Sequence, residues 1–588
     1  MLKGFHRIPG LRKCHSTPFN PRSPCKWASD PNDIRNILCD GPILHAVQMS
    51  NVFPDCKTFV DMNVKTSIPA INGAWKTIAA QYGKQPVPMT TILKFLEDHF
   101  ETVEGDSQLE KWVPTDWTPN PKILDKVEDS EYKYFAKELN NLWLKLGRKM
   151  NAKVETEKNK TTLLYVPNGF IIPGGRFREL YYWDTYFILL GLFACDMFQT
   201  AKGIIENMIY LLKNHGSMFN GTRIYYQFRS QPPLLLKMVD EYVDATQDFS
   251  MVEKNFRVLE REMIFWESTR KIKVTVDGKT HDVFRYNCCM PGPRPESYRE
   301  DYSTAEKSSN EQKLYKYQAI ASACESGWDF SSRWFKCKKG NTIKDMHTHE
   351  IIPVDLNAFM HMNYEILKKW STRLKLENET RKYTELSDKI KEAIRDVLWD
   401  ELDGIWYDRD TRDGSLNKEY ATSNFTPLWT RSFNDKAKVE IAERMLEYYS
   451  KYNLWKYKGG LPTTMCFSGE QWDWPNSWAP LQLIASQGFR NVGLPVLGYK
   501  TASNWVNNNY TGYLKHNVIF EKYDCRRPGM TGFGGEYEEQ VGFGWSNGVL
   551  FQFMQEYPDR LKPSVPEERK IPFLSTKSLS EEEENSLT

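Results

Sequence analysis

Between Leu38 and Pro558 the chain alternates stretches of helical apolar period with longer segments rich in Gly, Pro, Trp and Arg. No Gly/Ser linker, low-complexity block or short repeat interrupts that alternation, so it reads as one large domain. Arg381 to Asp400 sets Tyr383, Leu386, Ile390, Ile394, Val397 and Leu398 mostly at spacings of three and four. Asn434 to Asn453 does the same with Val439, Ala442, Met445, Leu446 and Tyr449, and Asn434 or Asp435 is placed to cap it. Similar stretches lie near Asp129 to Met150, Gln199 to His215, Phe249 to Thr269, Leu356 to Leu374 and Ala479 to Ser486. Ile272 to Val276 and Thr280 to Tyr286 read as a short hairpin turning on Asp277-Gly278. A βαβ rhythm and a sustained period of two are both missing, which argues against a parallel sheet. Many helices with the unusual residues gathered in their connections predict an all-α fold, an α/α toroid whose loops build a site at one end.

Charge names no partner. Lys+Arg 78 against Asp+Glu 76 argues against a nucleic-acid surface or a polybasic membrane face. The longest apolar run, Tyr186 to Cys195, ends at Asp196 and is about half the ~20 residues a membrane-spanning helix needs. The 11 cysteines contain no C-x-x-C pair, which argues against a zinc framework. Adjacent Cys288 and Cys289 read as packing residues, and Cys39 with Cys56 is a candidate disulfide if the chain is exported. Residues 1–37 are basic, with no acid before Asp30 and no apolar stretch of the signal-peptide kind. They read as a disordered arm or the remnant of a leader, which leaves the compartment open. Residues 559–588, with Glu581 to Glu584 in a row, read as a solvated acidic tail. His347 and His349 lack metal-ligand spacing and are expected to bond loop backbone, and neither a metal nor a cofactor is implied. Asn159, Asn220, Asn378, Asn424 and Asn509 fit N-x-S/T, with Asn220 the poorest candidate for a glycan.

Two connections carry the chemistry. Pro173 to Tyr186 follows a Pro-Gly-Gly break with Arg176, Phe177, Arg178, Glu179, Tyr181, Tyr182, Trp183 and Asp184. A purely structural loop seldom gathers so many ionic groups, which are costly to bury, beside so many rings. Gln471 to Pro480 holds Trp472, Asp473, Trp474, Asn476 and Trp478 in a proline-bounded loop. Indoles beside amides and carboxylates can stack on a pyranose face and hold its hydroxyls. The aromatic content, 19 Trp, 30 Tyr and 31 Phe, suits that use as well as a thick helical core.

Both blocks resemble the signatures of the family-37 glycoside hydrolases, the trehalases, with Ser477 where another small residue is usual. The resemblance runs on through Arg229-Ser230-Gln231-Pro232-Pro233, Gly292 to Ser297, Glu325 to Asp329, Pro353 to Asn357, Glu521 to Asp524 and Gly534 to Tyr537. It covers about Cys39 to Tyr557 and implies an (α/α)6 barrel over residues 38–558 that needs no cofactor and takes trehalose and water. Cleaving a link between two anomeric carbons needs one group to protonate the bridging oxygen and another to activate water. The family works with inversion, and the positions matching its acid and base are Asp329 and Glu521. Read from residues alone, Asp329 could instead cap a helix beginning at Phe330, and Glu521 could be a surface residue beside Lys522.

For the two sugar rings the resemblance implies Arg176, Phe177, Trp183, Asp184, Asn220, Arg229, Ser230, Gln231, Arg294, Pro295, Glu296 and Gly327, joined by Trp472 and Asp473. Glu536, the rival of Glu521 as base, is assigned to binding, and Phe533 stands before it where the family's loop is commonly glycine. Arginines among Asp184, Glu296, Asp329, Glu521 and Glu536 would offset carboxylate repulsion while offering forked donors to hydroxyls. Arg229→Ala or Arg294→Ala is therefore expected to lose more activity than stability. Two other readings stay open: a different α-glucosidase on the same toroid, and a sugar-binding relative without catalysis. Oligomeric state is not legible.

Overall fold

The computed structural model describes residues 26–101, 108–335, 342–535 and 539–564. Twelve helices form the body: α1 (Ser130–Leu146), α2 (Tyr182–Ala194), α3 (Phe198–His215), α4 (Leu235–Thr246), α5 (Ser250–Thr269), α6 (Val354–Arg373), α7 (Glu377–Ala393), α8 (Thr426–Trp429), α9 (Lys438–Lys451), α10 (Ala479–Val492), α11 (Pro495–His516) and α12 (Gly544–Glu556). The even-numbered helices touch in the order α2, α4, α6, α8, α10, α12 and back to α2, so they close a ring. Each odd-numbered helix lies against a neighbouring ring helix, giving two concentric layers of six. The fold is the expected (α/α)6 toroid.

The two layers differ in kind. Outer helices bury one face, as in α1, where Asp129 accepts from the backbone N–H of Glu131 and Tyr132 and the buried set is Tyr132, Phe135, Ala136, Leu139, Asn140, Trp143 and Leu146. Ring helix α2 is buried almost all round, with only Phe193 escaping full burial. The crossing of α2 and α12 is set by glycines: a Cβ on Gly548 would lie 2.0 Å from the Phe187 carbonyl oxygen. Outer helix α7 ends in a π turn at Ile394–Leu398, and Asn434 caps a 3-10 turn leading into α9.

The hairpin forms as expected, β1 (Lys271–Val276) against β2 (Lys279–Phe284), with Asp277 and Gly278 both at positive φ. A second pair matters for function: β3 (Asn476–Trp478) runs antiparallel to β4 (Lys522–Asp524), Trp478 opposite Lys522. It fastens the Trp-rich block to the segment carrying Glu521. The Ser477 hydroxyl donates to the Gly459 and Tyr523 carbonyls across this joint, a physical use for Ser at that position.

The N-terminal residues pack as a second core on the toroid, with Trp27, Ile37, Phe59, Ile71 and Phe95 meeting Tyr181, Tyr225 and Tyr226. Burial of Trp27, Ile34 and Ile37 shortens the arm expected over residues 1–37, and burial of Leu561 trims the tail expected from 559. Cys39 and Cys56 are free buried thiols, so the candidate disulfide does not form. Cys289 is disulfide-bonded, which corrects its reading as a packing residue, while Cys288 is a buried free thiol. His347 meets the Asp410 carboxylate at 3.2 Å. Asn220, Asn424 and Asn509 are buried, which removes them as glycan acceptors in the folded chain. No described helix is long and apolar enough to cross a membrane.

Candidate active site

The residues singled out above gather where the ring helices begin. Trp183 and Asp184 stand in the first turn of α2, Gln231 just before α4 and Trp472 and Trp478 before α10, and Trp545, not expected from the sequence, joins them from the first turn of α12. Together they line a cavity of about 740 Å³, measured with its mouth. Asp329 and Glu521 share this cavity although they are far apart in the chain.

Asp329 follows helix Asn310–Ser326, which ends on Gly327 in the left-handed conformation at φ 76. Ser331, not Asp329, caps the next short helix, Ser332–Trp334, so the capping alternative for Asp329 is set aside. The loop is clamped from behind by Arg333, which bonds Asp355 at 2.7 Å and Asp408 at 2.7 Å and lies over the rings of Trp328 and Trp334. Trp328 thus serves as part of this clamp. Glu521 is 3% exposed, and Lys522 beside it is buried too, with its ammonium 3.5 Å from the Glu521 carboxylate. The surface alternative for Glu521 therefore fails. Gln471 joins the two loops: its Nε2 donates to the Asp329 carbonyl at 2.6 Å and its Oε1 accepts from Lys522 at 3.3 Å.

The wall is aromatic. Trp472 stacks on Trp478 at 4.0 Å between ring centres and on Trp328 at 5.5 Å, with Trp183 and Trp545 packed around them. The Trp545 indole donates to the Glu521 carbonyl at 3.2 Å, which fixes the Glu521 segment against α12. Gln231 Oε1 accepts from the Trp183 N–H at 3.0 Å, and Asn220 donates to the Cys324 carbonyl at 3.5 Å. The lining holds four cations (Lys57, Arg176, Arg229, Arg294) and four carboxyl groups (Asp184, Glu296, Asp329, Glu521). Burial pushes the Asp184 carboxyl up to about 8, opposed by its own backbone N–H and reinforced by the negative charges of Glu521 and Asp329. At neutral pH Asp184 is thus a protonated acid that can donate as well as accept.

The arginines are held in different ways. Arg229 meets Glu296 through one nitrogen, while its Nε and Nη1 are buried without a protein acceptor and so are free for a ligand. Arg176 reaches Asp55 at 2.9 Å. Arg294 is gripped by Asp301, which takes its Nη2 at 2.7 Å, its Nε at 3.0 Å and its backbone N–H at 2.8 Å. Both members of that pair are buried, so the expectation that Arg294→Ala spares stability does not survive the structure.

The remaining expected residues divide evenly. Phe177, Glu296, Gly327 and Trp472 line the cavity. Asp473 does not: its oxygens are spent on Ser331, Ser332, Thr464 and Ser468, which makes it the anchor of the loops behind Trp472. Ser230 lies beneath the wall with its N–H on Glu325, and Pro295 offers its carbonyl to Gln48. Glu536 lies outside the described residues. Phe533 is pinned by two backbone bonds to Asn476 and packs on Phe467. The sequence reading missed Lys57, Tyr181, Tyr226, Cys324, Phe543 and Trp545 as lining residues. Tyr226 and Trp545 had a usable signal, since each sits in an aromatic run next to a polar block; Lys57 had none.

Comparison with known proteins decides the family. The family model described as Trehalase matches residues 51–558. The chain belongs to the trehalase family. Trehalase from Apis mellifera is 39% identical over 556 residues, covering 93% of this chain and 87% of that protein. Trehalase from Homo sapiens is 36% identical over 548 residues and covers 92% of each. Among solved structures, the neutral trehalase from Saccharomyces cerevisiae matches with a TM-score of 0.57 at 20% identity, covering 76% of this chain and 91% of that one. The trehalase toroid is thus shared, and the ring-helix starts are where this member places its polar groups.

Proposed function

We propose that the chain is an α,α-trehalase that hydrolyses trehalose to two glucose molecules with inversion, Asp329 acting as acid and Glu521 as base. One observation carries the reading: two carboxyl groups from distant loops line a single indole-walled cavity that also holds Arg176, Arg229 and Arg294. In this mechanism Asp329 protonates the oxygen joining the two rings. Glu521 takes a proton from water, which attacks the anomeric carbon from the face opposite the departing glucose. The cleaved bond's electrons go to the bridging oxygen, and the products are one β-glucose and one α-glucose. The indoles exclude bulk water, and the arginines hold hydroxyls while offsetting the acids.

Glucose release from trehalose, with maltose and sucrose as controls, tests the reading. Release from trehalose alone is expected, and Asp329→Asn and Glu521→Gln should each lower kcat by about 10²-fold or more. Equal release from maltose, or full activity in either variant, would contradict it.

A further inference from the structure

The wall of the cavity includes one residue from the N-terminal segment, Lys57. Lys57 sits in the short helix Cys56–Val60, whose N-cap Asp55 accepts from the Lys57 N–H at 2.7 Å and from Arg176 at 2.9 Å. A single carboxylate thus fixes this helix and one cavity arginine together. The helix turns Lys57 inward, where the residue is 4% exposed.

A buried ammonium needs partners, and two carboxylates meet it. Asp61, one turn along the same helix, lies at 2.5 Å, and Glu179 of the first signature block lies at 2.8 Å. Arg223 stands 3.5 Å from Asp61 and 3.9 Å from Glu179, so the cluster holds two positive and two negative charges. Such clusters seldom add net stability, because apolar side chains of the same size fill the space without desolvating ions. Packing alone therefore does not account for Lys57. An ammonium has three N–H groups; Asp61 takes one, and the two oxygens of Glu179, at 2.8 Å and 3.1 Å, share a second. Lys57 lines the same cavity as Arg229, Asp329 and Glu521. The neighbouring wall is polar as well: the Tyr181 hydroxyl donates to Glu179 at 2.6 Å and pairs with the Tyr226 hydroxyl at 2.9 Å.

We propose that Lys57 is a substrate-binding residue of this site, with Asp61 and Glu179 holding its ammonium so that the third N–H meets a hydroxyl of the disaccharide. The inference rests on the trehalose reading given above and deepens it. It makes the N-terminal segment part of the sugar site, reaching the ligand through Lys57 and orienting Arg176 through Asp55.

The test compares KM, kcat and thermal unfolding for the full chain, Lys57→Met and Tyr225→Phe. Tyr225 bonds Asp61 at 2.8 Å but does not line the cavity, so its variant loosens the ion cluster without touching the sugar wall. Loss of a charge-assisted hydrogen bond from a dry site should raise the KM of Lys57→Met for trehalose roughly 10- to 100-fold. Its kcat should stay within about threefold, while Tyr225→Phe lowers the unfolding temperature and leaves KM within about twofold. An unchanged KM in Lys57→Met, or an equal rise in Tyr225→Phe, overturns the proposal. If Lys57→Met does not fold, Lys57→Arg keeps the charge and moves the donors: raised KM with normal unfolding is expected, and unchanged KM overturns it. Absence of glucose release by the unaltered chain would sink the trehalose reading itself, an outcome distinct from a failure at Lys57.

Discussion

Gly327→Ala strains the site at its tightest point. The glycine ends helix Asn310–Ser326 at φ 76, where an L side chain costs about 1–2 kcal/mol. The new Cβ would stand 2.6 Å from Trp183 Cζ2 and 2.8 Å from Cε2, well inside van der Waals contact. Trp183 cannot step aside easily, since its backbone N–H is tied to Gln231 and its ring packs on Phe187, Trp472 and Trp545. Overpacking of this kind costs about 1–3 kcal/mol more, so the total loss of stability is about 2–5 kcal/mol. Asp329 lies two residues on, and a displacement of about 1 Å at a reacting group lowers turnover about 10²-fold. The assay is kcat on trehalose beside thermal unfolding, with Gly216→Ala as control: it too is a left-handed helix end, φ 80, but with nothing within 4 Å of its Cβ. Gly327→Ala should lose stability and about 10²-fold in kcat, and Gly216→Ala only about 1–2 kcal/mol of stability. Equal effects in the two variants would refute the reasoning, because they would show that backbone strain alone matters and the Trp183 contact does not.

Arg294→Ala leaves the buried Asp301 carboxylate without its cation and should cost about 3–5 kcal/mol, read as a fall in unfolding temperature beside the fall in activity. Arg229→Lys keeps a charge near Glu296 but loses the forked donors, so it should lower kcat/KM with little change in unfolding temperature. Asp184 has its carboxyl raised from 3.8 to about 8, so the folded chain holds a proton that the unfolded chain releases. That contribution to stability is greatest below pH 4 and is lost as pH rises to about 8, and Asp184→Asn should flatten this part of the stability profile.

Legibility followed burial. Outer helices such as α1, α3, α5, α7 and α9 bury one face, and their apolar period of three and four showed through the sequence. Among the ring helices α6 and α10 showed a helical period, whereas α2, buried on nearly every side, read only as an apolar run, and α4 and α12 passed unnoticed. The site showed the same split. Trp183, Asp184 and Trp472 fell inside dense polar and aromatic blocks, and the resemblance placed Asp329 and Glu521. Asp473 shared a block with Trp472 yet faces the loop behind it, where the backbone turns at Asp473. Lys57 has no such company in the sequence: a lysine in an ordinary short helix becomes a wall residue only when the N-terminal segment docks on the toroid. The contacts of Gln471 with both catalytic loops are likewise long-range, and no local pattern encodes them.

The central claim is that Asp329 and Glu521 act on trehalose from opposite faces of one anomeric carbon. Proton NMR of the first-formed products, recorded before mutarotation scrambles them, tests it most directly. One α-glucose for each β-glucose is the expected result. Two α-glucoses would mean retention, and would contradict the assignment of acid and base made from this cavity.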